Sequence, residues 1–479
     1  MVLVHRHPGC RRDACKAKGT DGKVMQRRNG HLVIMVGAGP AALYATAKLA
    51  QQGHTVVILN RDIKPGGLAE YGIYPSKHQM KEGLRKQFRR ILADPRVIYF
   101  GNAQVGEAGA VRFTDLQDLK PSAIVVAAGA QGTKSLGLPG DEGPSVYHAK
   151  DLVYHFNLLP PFSEKDFPMG NRVVIIGIGN VMVDVAHYLV TVRKVPEVMA
   201  VARRGPKERA YDDREMRAVA WNIDKEALKE ELERIRPRLE PLGQDMDTLY
   251  KELTKDSHVE LKGGKSPTRL TFRFLSSPKR VIRDETGRIV ALEIEENTLV
   301  DRGGKLAAKG LGETMQLPVD TVVFAIGDVV DHGLGLPPQG GGFATNPNPD
   351  SQDPGAATYQ AFDPQAEQLL DGVFVIGWSR SASEGVVGKA KLDGEKGAAV
   401  VNRFLATQPA LSRRKIYERI GNVYHLLLEK SVPVVHKGLW RILEQVEWQE
   451  AAKRGLEEFK FGTNDEMLRN IEERIIKRS

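Results

Sequence analysis

Cysteine is nearly absent: the 479 residues hold two, Cys10 and Cys15, both in the N-terminal tail. Two thiolates cannot ligate an iron–sulfur cluster, cannot build a disulfide framework and cannot supply a redox couple beside a flavin. So little cysteine fits a reducing compartment, and a cytoplasmic protein is expected. No other ligand set lies near the pair, so no metal site is expected. Aromatic residues are also few, at 6%. No aromatic RNA-binding motif, basic helix-turn-helix or zinc-finger spacing occurs, which leaves nucleic acid without support as a partner. Long apolar runs are missing too. The most apolar stretch, Val173 to Val192, contains Asn180, Asp184, His187 and a Gly-x-Gly turn, so it reads as strand, turn and helix and no integral membrane segment is expected. Residues 5–28 lack the apolar core of a secretory signal.

What is present points elsewhere. Apolar residues at 41% and charged residues at 27% make an ordinary globular protein of two to four domains. The 48 glycines, about a tenth of the chain against an average near 7%, fall repeatedly just after apolar runs, where a backbone turns tightly or approaches a ligand. A net charge of +9 favours anionic ligands or acidic partners.

Residues 1–29 are polar and aperiodic and predict a disordered leader. Beyond them, His31 to Val36 is a buried-strand run, Gly37-Ala-Gly39-Pro-Ala41-Ala42 follows, and a helical pattern to Gln52 leads to the strand Thr55 to Leu59. In such a unit the glycines admit a pyrophosphate to the backbone and the helix turns its free N–H groups on the phosphate charge. A second unit begins at Arg172, with Gly177-Ile-Gly179-Asn180-Val181-Met182 and a strand ending near Ala202. Met182, in the third glycine position, should push its helix off the strand. Further glycine-ended strands occur at Ala123 to Gly129, Thr321 to Gly327 and Gly372 to Gly377, where open α/β sheets place ligands. Pro337 to Asp371 reads as an irregular excursion and Asp224 to Lys255 as a solvated helix pair. The last stretch, from Leu411, reads as a helical cap with Trp440 and Trp448 as packing anchors.

At the end of the first unit's second strand, where a ribose-binding acid is usual, stand Asn60 and Arg61. A carboxylate accepts two ribose hydroxyls, Asn60 accepts one and donates one, and an Asn-Arg pair suits a 2′-phosphate, so the position alone fits either FAD or NADP. Pro65 to Leu68, Tyr71 to Ile73, the later glycine-ended strands and Gly377-Trp378 would together wrap an extended ligand, which favours FAD. In the second unit Arg203 and Arg204 occupy the strand end. Two guanidinium groups there favour NADP over NAD through charge-assisted bonds to the 2′-phosphate.

From His31 to about Asn470 these residues resemble the FAD-containing, NADPH-dependent ferredoxin reductases of the adrenodoxin-reductase type, a group whose wider family includes the glutamate synthase small subunit. The resemblance rests on Gly37 to Ala41, Gly67-Leu-Ala-Glu-Tyr-Gly72, Leu138 to Gly140, Gly177 to Val181 with Asp184 to Ala186, Arg203 to Pro206 and Phe274 to Pro278. Most specific is Gly377-Trp378 with Gly385 to Gly388. It implies that Ala41, Asn60, Leu68, Ala103, Trp378, Gly385, Val386 and Val387 line the FAD site, and that Gly179, Asn180, Val181, Arg203, Arg204 and Glu215 contact NADP. Trp378 and Gly385 would lie beside the flavin and nicotinamide, and no catalytic nucleophile is needed. The chain departs from the pattern at Asn60, where the family has Glu, at Ser379 to Glu384, and at Lys77, where a His is common and His78 stands one place along.

The expected architecture is α/β, with two Rossmann-like dinucleotide-binding domains and the NADP domain inserted in the FAD domain: FAD residues 30–150 and 330–479, the latter with a helical extension, and NADP residues 151–329. The expected activity takes hydride from NADPH onto FAD and passes electrons to an acidic ferredoxin-like iron–sulfur carrier, drawn by basic runs such as Lys81 to Arg90. Alternatives are the NADPH-oxidising subunit of a larger complex, which generally brings a cysteine-rich cluster domain, a quinone or dye reductase, and a non-catalytic sensor or scaffold.

Overall fold

The computed structural model describes residues 30–259, 266–348, 358–381 and 387–477; the leader with Cys10 and Cys15, and the turn residues Gly385 and Val386, lie outside them. Leu32–Val36 is apolar and buried at every position, as a strand covered on both faces must be. It forms the centre of a seven-stranded sheet. On one side lie Thr55–Leu59 and then Val97–Gly101, on the other Ala123–Val126 and then Gln368–Val375, all parallel. Two short strands, Gln360–Asp363 and Val435–His436, close the edges in antiparallel pairing. The helix Pro40–Gln51 joins the first two strands and packs on the long helix Val387–Thr407, where Gly394 lies so close that a Cβ would sit 2.3 Å from the Ala41 carbonyl oxygen.

A second, five-stranded sheet is wholly parallel, in the order Val146–His148, Thr321–Phe324, Arg172–Ile176, Glu197–Val201, Arg269–Arg273. Its strands all fall between those contributing to the first sheet, so one Rossmann-like unit is inserted in the other. The expected charged helix pair forms as Lys225–Leu239 and Met246–Thr254, capped by Asp224 and Asp245. It buries Leu228, Leu232, Ile235 and Leu249 against Val198 and Leu270. An antiparallel sheet that was not anticipated, Ser276–Arg283, Ile289–Asp301 and Leu306–Leu317, covers the opposite face, with Val281, Leu292 and Ile294 on Val174, Ile176 and Val322. The chain crosses between the two units at Gly132–Thr133 and Asp328–Val329, and these crossings pair with each other.

Two expectations need correction here. The stretch after Pro337 is not irregular throughout: Gln360–Asp363 and Gln368–Val375 form a hairpin because apolar Ala361, Val373 and Val375 bury against the sheet. The last stretch does give three helices, Arg413–Glu429, Lys437–Lys453 and Asn464–Ile476. Trp440 packs in the core with Leu443, Met467 and Ile471, but Trp448 is 50% exposed, with the Arg89 guanidinium 4.7 Å over its ring.

A buried lattice of charges fastens this helical extension to the first unit. Glu70, in the short helix Leu68–Tyr71, receives Arg85 at 2.6 Å, Lys64 at 3.1 Å and Lys460 at 3.2 Å. Lys64 continues to Glu447 at 2.5 Å, while Arg85 and Lys81 reach Glu458 at 2.5 and 2.8 Å. Arg89 adds Glu82 and Glu444. Of the basic run Lys81 to Arg90, Lys81, Arg85 and Arg89 are consumed by carboxylates that the extension delivers, while Lys86 and Arg90 stay exposed.

Burial pushes the Glu70 carboxyl up, yet Lys460, Lys64 and Arg85 outweigh it and hold the group well below the ordinary 4.5. Against the same burial penalty, Lys460, Arg85 and Lys81 hold Glu458 down to about 2. Both folded values are depressed, so the stability they contribute is complete above pH 4.5 and is lost as the pH falls towards 2. Glu70→Gln leaves buried cations uncompensated and should cost about 3–5 kcal/mol in urea unfolding at pH 7, with a flatter decline of stability below pH about 4.5. Wild-type stability in that variant would show that the cations relax into solvent.

Candidate functional site

Both sheets end in the same device. Gly37 has φ +103°, and a Cβ there would lie 2.5 Å from the Ala127 carbonyl oxygen; Gly177 has φ +124°, and its Cβ would lie 2.3 Å from that of Ala325. No side chain fits either place. Each turn is thereby pressed against the end of the neighbouring strand, and the following helices, Pro40–Gln51 and Asn180–Tyr188, start at Gly39 and Gly179. Neither helix has a side-chain cap or an acid in its first turn, so their leading N–H groups are free for an anion.

The first turn opens on a cleft enclosing about 1150 Å³, its open mouth included. Gly37, Gly39, Ala41, Asn60, Leu68, Ala103, Trp378 and Val387 all line it, so the structure brings together the residues that the sequence scatters over 350 positions. Gly377 stands behind the wall. Its N–H donates to Asp393 at 2.5 Å, and a Cβ on it would lie 2.7 Å from that of Ala41. Trp378 contributes an indole Nε1 that is buried and has no hydrogen-bond partner among the described residues. Such a donor is costly unless a ligand in the cleft accepts from it, which is what an FAD site would provide.

Asn60 is placed at the cleft but is already engaged. Its Oδ1 accepts from the Ala38 N–H at 2.9 Å, and its Nδ2 donates to the Asp62 and Lys64 carbonyls at 2.8 and 3.2 Å. It braces the glycine turn against the loop after the second strand, and its donor capacity is not free for a ribose. Sequence reasoning missed Arg61 and Gln131 as a pair. Arg61 donates to Gln131 Oε1 at 2.8 Å, and Tyr154 donates to the same oxygen at 3.1 Å. The only signal was Gly129, which ends its strand two residues earlier. His78, one place along from Lys77, does not line the cleft and faces Glu457 at 3.0 Å.

At the second turn, Asn180 Oδ1 accepts from the Asp212 N–H at 2.7 Å, and Gly179 bridges to Ala210, which closes a loop over the helix start. Val181 is 43% exposed there. Arg203 is exposed and Arg204 half-buried, and neither guanidinium has an ion pair among the described residues. Their backbones are fixed instead: Asn297 donates to the Arg203 carbonyl at 3.0 Å and the Leu275 N–H to that of Arg204 at 3.1 Å. Held main chain with free guanidinium heads suits a dianionic phosphate.

Glu215 points to the junction of the two units, where it pairs with Lys77, which also lies 4.0 Å from Asp184. Burial pushes Asp184 up to about 7, against the pull of Lys77 and with the help of Glu215. Burial and Lys77 together push His187, stacked on Tyr74 at 4.0 Å, down to about 4.

The model of the pyridine nucleotide-disulphide oxidoreductase family matches residues 31–355. Over 475 residues the chain is 28% identical to the NADPH-ferredoxin reductase FprA of Mycobacterium tuberculosis, covering 92% of this chain and 98% of that one. It is 28% identical over 327 residues to the mitochondrial NADPH:adrenodoxin oxidoreductase of Bos taurus, covering 62% and 65%. The solved structure of Mycobacterium tuberculosis FprA in complex with NADPH aligns with a TM-score of 0.71 at 26% identity, over 92% of this chain and 99% of that one.

Replacing Arg203 and Arg204 by Ala should lower kcat/KM for NADPH by about 2–4 kcal/mol in transition-state terms and leave NADH nearly unchanged, as steady-state kinetics with both nucleotides would show. Equal losses with the two nucleotides would mean that the pair only supports the fold.

Proposed function

The chain belongs to the pyridine nucleotide-disulphide oxidoreductase family, and we propose that it is an FAD-dependent NADPH oxidoreductase that delivers electrons to a ferredoxin-like one-electron carrier. The observation that carries the reading is the pair of glycine turns. One opens on the long cleft with the unpartnered Trp378 indole, the other lies beside two free guanidinium groups. The names of the relatives, an NADPH-ferredoxin reductase and an NADPH:adrenodoxin oxidoreductase, agree with it.

Gly37, Gly39 and the Pro40–Gln51 helix start would hold the FAD pyrophosphate, with Ala41, Leu68, Ala103, Trp378 and Val387 against the rest of the cofactor. Gly179, Asn180 and Val181 would seat the NADPH pyrophosphate while Arg203 and Arg204 clamp its 2′-phosphate. Glu215 and Lys77 stand across the junction that the nicotinamide must enter. Gly385 and Val386, assigned to FAD by family resemblance, remain part of the proposed site. FAD, when bound, supplies the step from a two-electron donor to a one-electron acceptor. One NADPH carries two electrons, so it yields NADP⁺, one proton and two reduced carriers.

Disulfide reduction, which the family name suggests, lacks its nucleophiles here, because the matched region 31–355 contains no cysteine. The same scarcity supports a cytoplasmic setting. No helix among the described residues is long and apolar enough to cross a membrane.

The purified protein should be yellow and release about one FAD per chain, and anaerobic NADPH should bleach it. Colourless protein that FAD cannot reconstitute would end the reading. With a ferredoxin as acceptor, turnover should fall several-fold between about 0.02 and about 0.3 M salt, as the Debye length shrinks from about 20 Å to under about 10 Å, while reduction of a small neutral quinone changes much less.

A further inference from the structure

Three of the five cations in the basic run expected to attract the carrier, Lys81, Arg85 and Arg89, are spent on carboxylates, and only Lys86 and Arg90 of it stay exposed; a denser unpaired patch lies elsewhere. We propose that the outer face of the helix Val387–Thr407 is the docking surface for the carrier, an acidic iron–sulfur protein; this rests on the function proposed above.

Lys389, Leu392 and Lys396 stand at positions i, i+3 and i+7, which puts them on one face of the helix. Both lysines are exposed, and Leu392 is 59% exposed between them. The opposite face is buried through Gly394, Ala398, Val401 and Leu405. Lys391 extends the positive patch sideways, its Nζ 4.9 Å over the ring of Tyr44, and Lys48 lies exposed one turn beyond Tyr44 on the Pro40–Gln51 helix. None of these four lysines has an ion pair among the described residues. The helix carries only two acids. Asp393 is turned inward, where it accepts from Tyr359 and Gly377 and pairs with Arg380. Glu395, close enough to raise the Tyr44 hydroxyl pKa after burial has done so, is the one acid left to oppose four lysines.

An exposed leucine ringed by ammonium groups has the make-up of an interface centre with a charged rim, and the sign of that rim selects an acidic protein. Position adds the second argument. Val387 and Ala390, on the same helix, line the cleft that takes the flavin. A carrier seated on the outer face is thus separated from the cleft by about the width of one helix, 10–12 Å. Electrons would leave through that wall, while NADPH enters from the junction of the two units.

The test uses FAD-loaded full-length protein, an acidic [2Fe–2S] ferredoxin and a small neutral quinone, both driven by NADPH at low salt. Lys389→Glu combined with Lys396→Glu should raise the KM for ferredoxin about ten-fold or more and flatten its salt dependence. Leu392→Ser should raise it several-fold, and quinone turnover should not change in either. If the wild type reduces ferredoxin and the variants do so with unaltered KM, the docking surface is wrong while the function stands. If the wild type reduces the quinone but no ferredoxin at any ionic strength, the function falls and the surface with it. Loss of binding to phosphatidylserine vesicles in the variants, with ferredoxin kinetics intact, would assign the face to a membrane and overturn the proposal.

Discussion

A glycine pressed against a carbonyl oxygen is the contact on which the rest of this molecule depends. At Gly37 and Gly177 the distance left for a Cβ, 2.5 and 2.3 Å, is less than any carbon can occupy. The chain therefore leaves its first strand, turns against the end of the next one and enters a helix with no room to wander. Two consequences follow from that single restriction. The helix starts are aimed at the space above the strand ends, and the neighbouring strands Ala123–Val126 and Thr321–Phe324 become walls of that space. Everything chemically distinctive in the protein, from the Trp378 indole to the Arg203 and Arg204 heads, is gathered along those two openings.

The second constraint is electrostatic. Glu70 lies 2% exposed on the short helix that follows Gly67 and begins with Leu68, both of which line the cleft, and a carboxylate buried so deeply persists only if cations meet it. Lys64 and Arg85 come from the same unit, but Lys460 arrives from the end of the chain and brings Glu458 with it. The helical extension is thus tied by charge to the short helix beside the cleft, and apolar packing of Trp440, Met467 and Ile471 completes the attachment. A buried ion pair is weak evidence of net stability, but removing one partner leaves a buried charge uncompensated, so the lattice penalises any arrangement that separates the extension from the first unit.

The two nucleotide-binding units were legible in the sequence because a continuous apolar run followed at once by Gly-x-Gly is a local pattern, and local patterns survive in one dimension. So was the charged helix pair, whose caps Asp224 and Asp245 stand in place. What escaped reading was pairwise and distant. Lys64 meets Glu447 across 383 positions, and nothing near either residue marks it as buried. Lys81, Arg85 and Arg89 look like a solvated basic face for the same reason. The antiparallel sheet over the second unit was hidden because its outer strand, Leu306–Leu317, is exposed along most of its length and carries no apolar alternation. Asn60 was visible as a departure, but its role as a brace depends on Ala38 and Lys64, which only the folded turn brings within reach.

The crossings between the units share their parts with the cleft. Gly132–Thr133 and Asp328–Val329 form the only paired strands that join the two sheets among the described residues, and a ribbon so short resists little by itself. It is stiffened from the side. Lys150, buried in the second unit, donates to the Gln131 carbonyl and to that of Gly132 at 2.9 Å, while the Gln131 side chain accepts from Tyr154 of the second unit and from Arg61 of the first. Arg61 and Gln131 both line the cleft. A rotation of one unit against the other must therefore stretch bonds that end on the cleft wall, and a ligand that fixes Arg61 and Gln131 fixes the crossing as well. Lys77 of the first unit also reaches Glu215 and Asp184 of the second, so the relative placement of the two units is held by side-chain ion pairs as well as by the crossings.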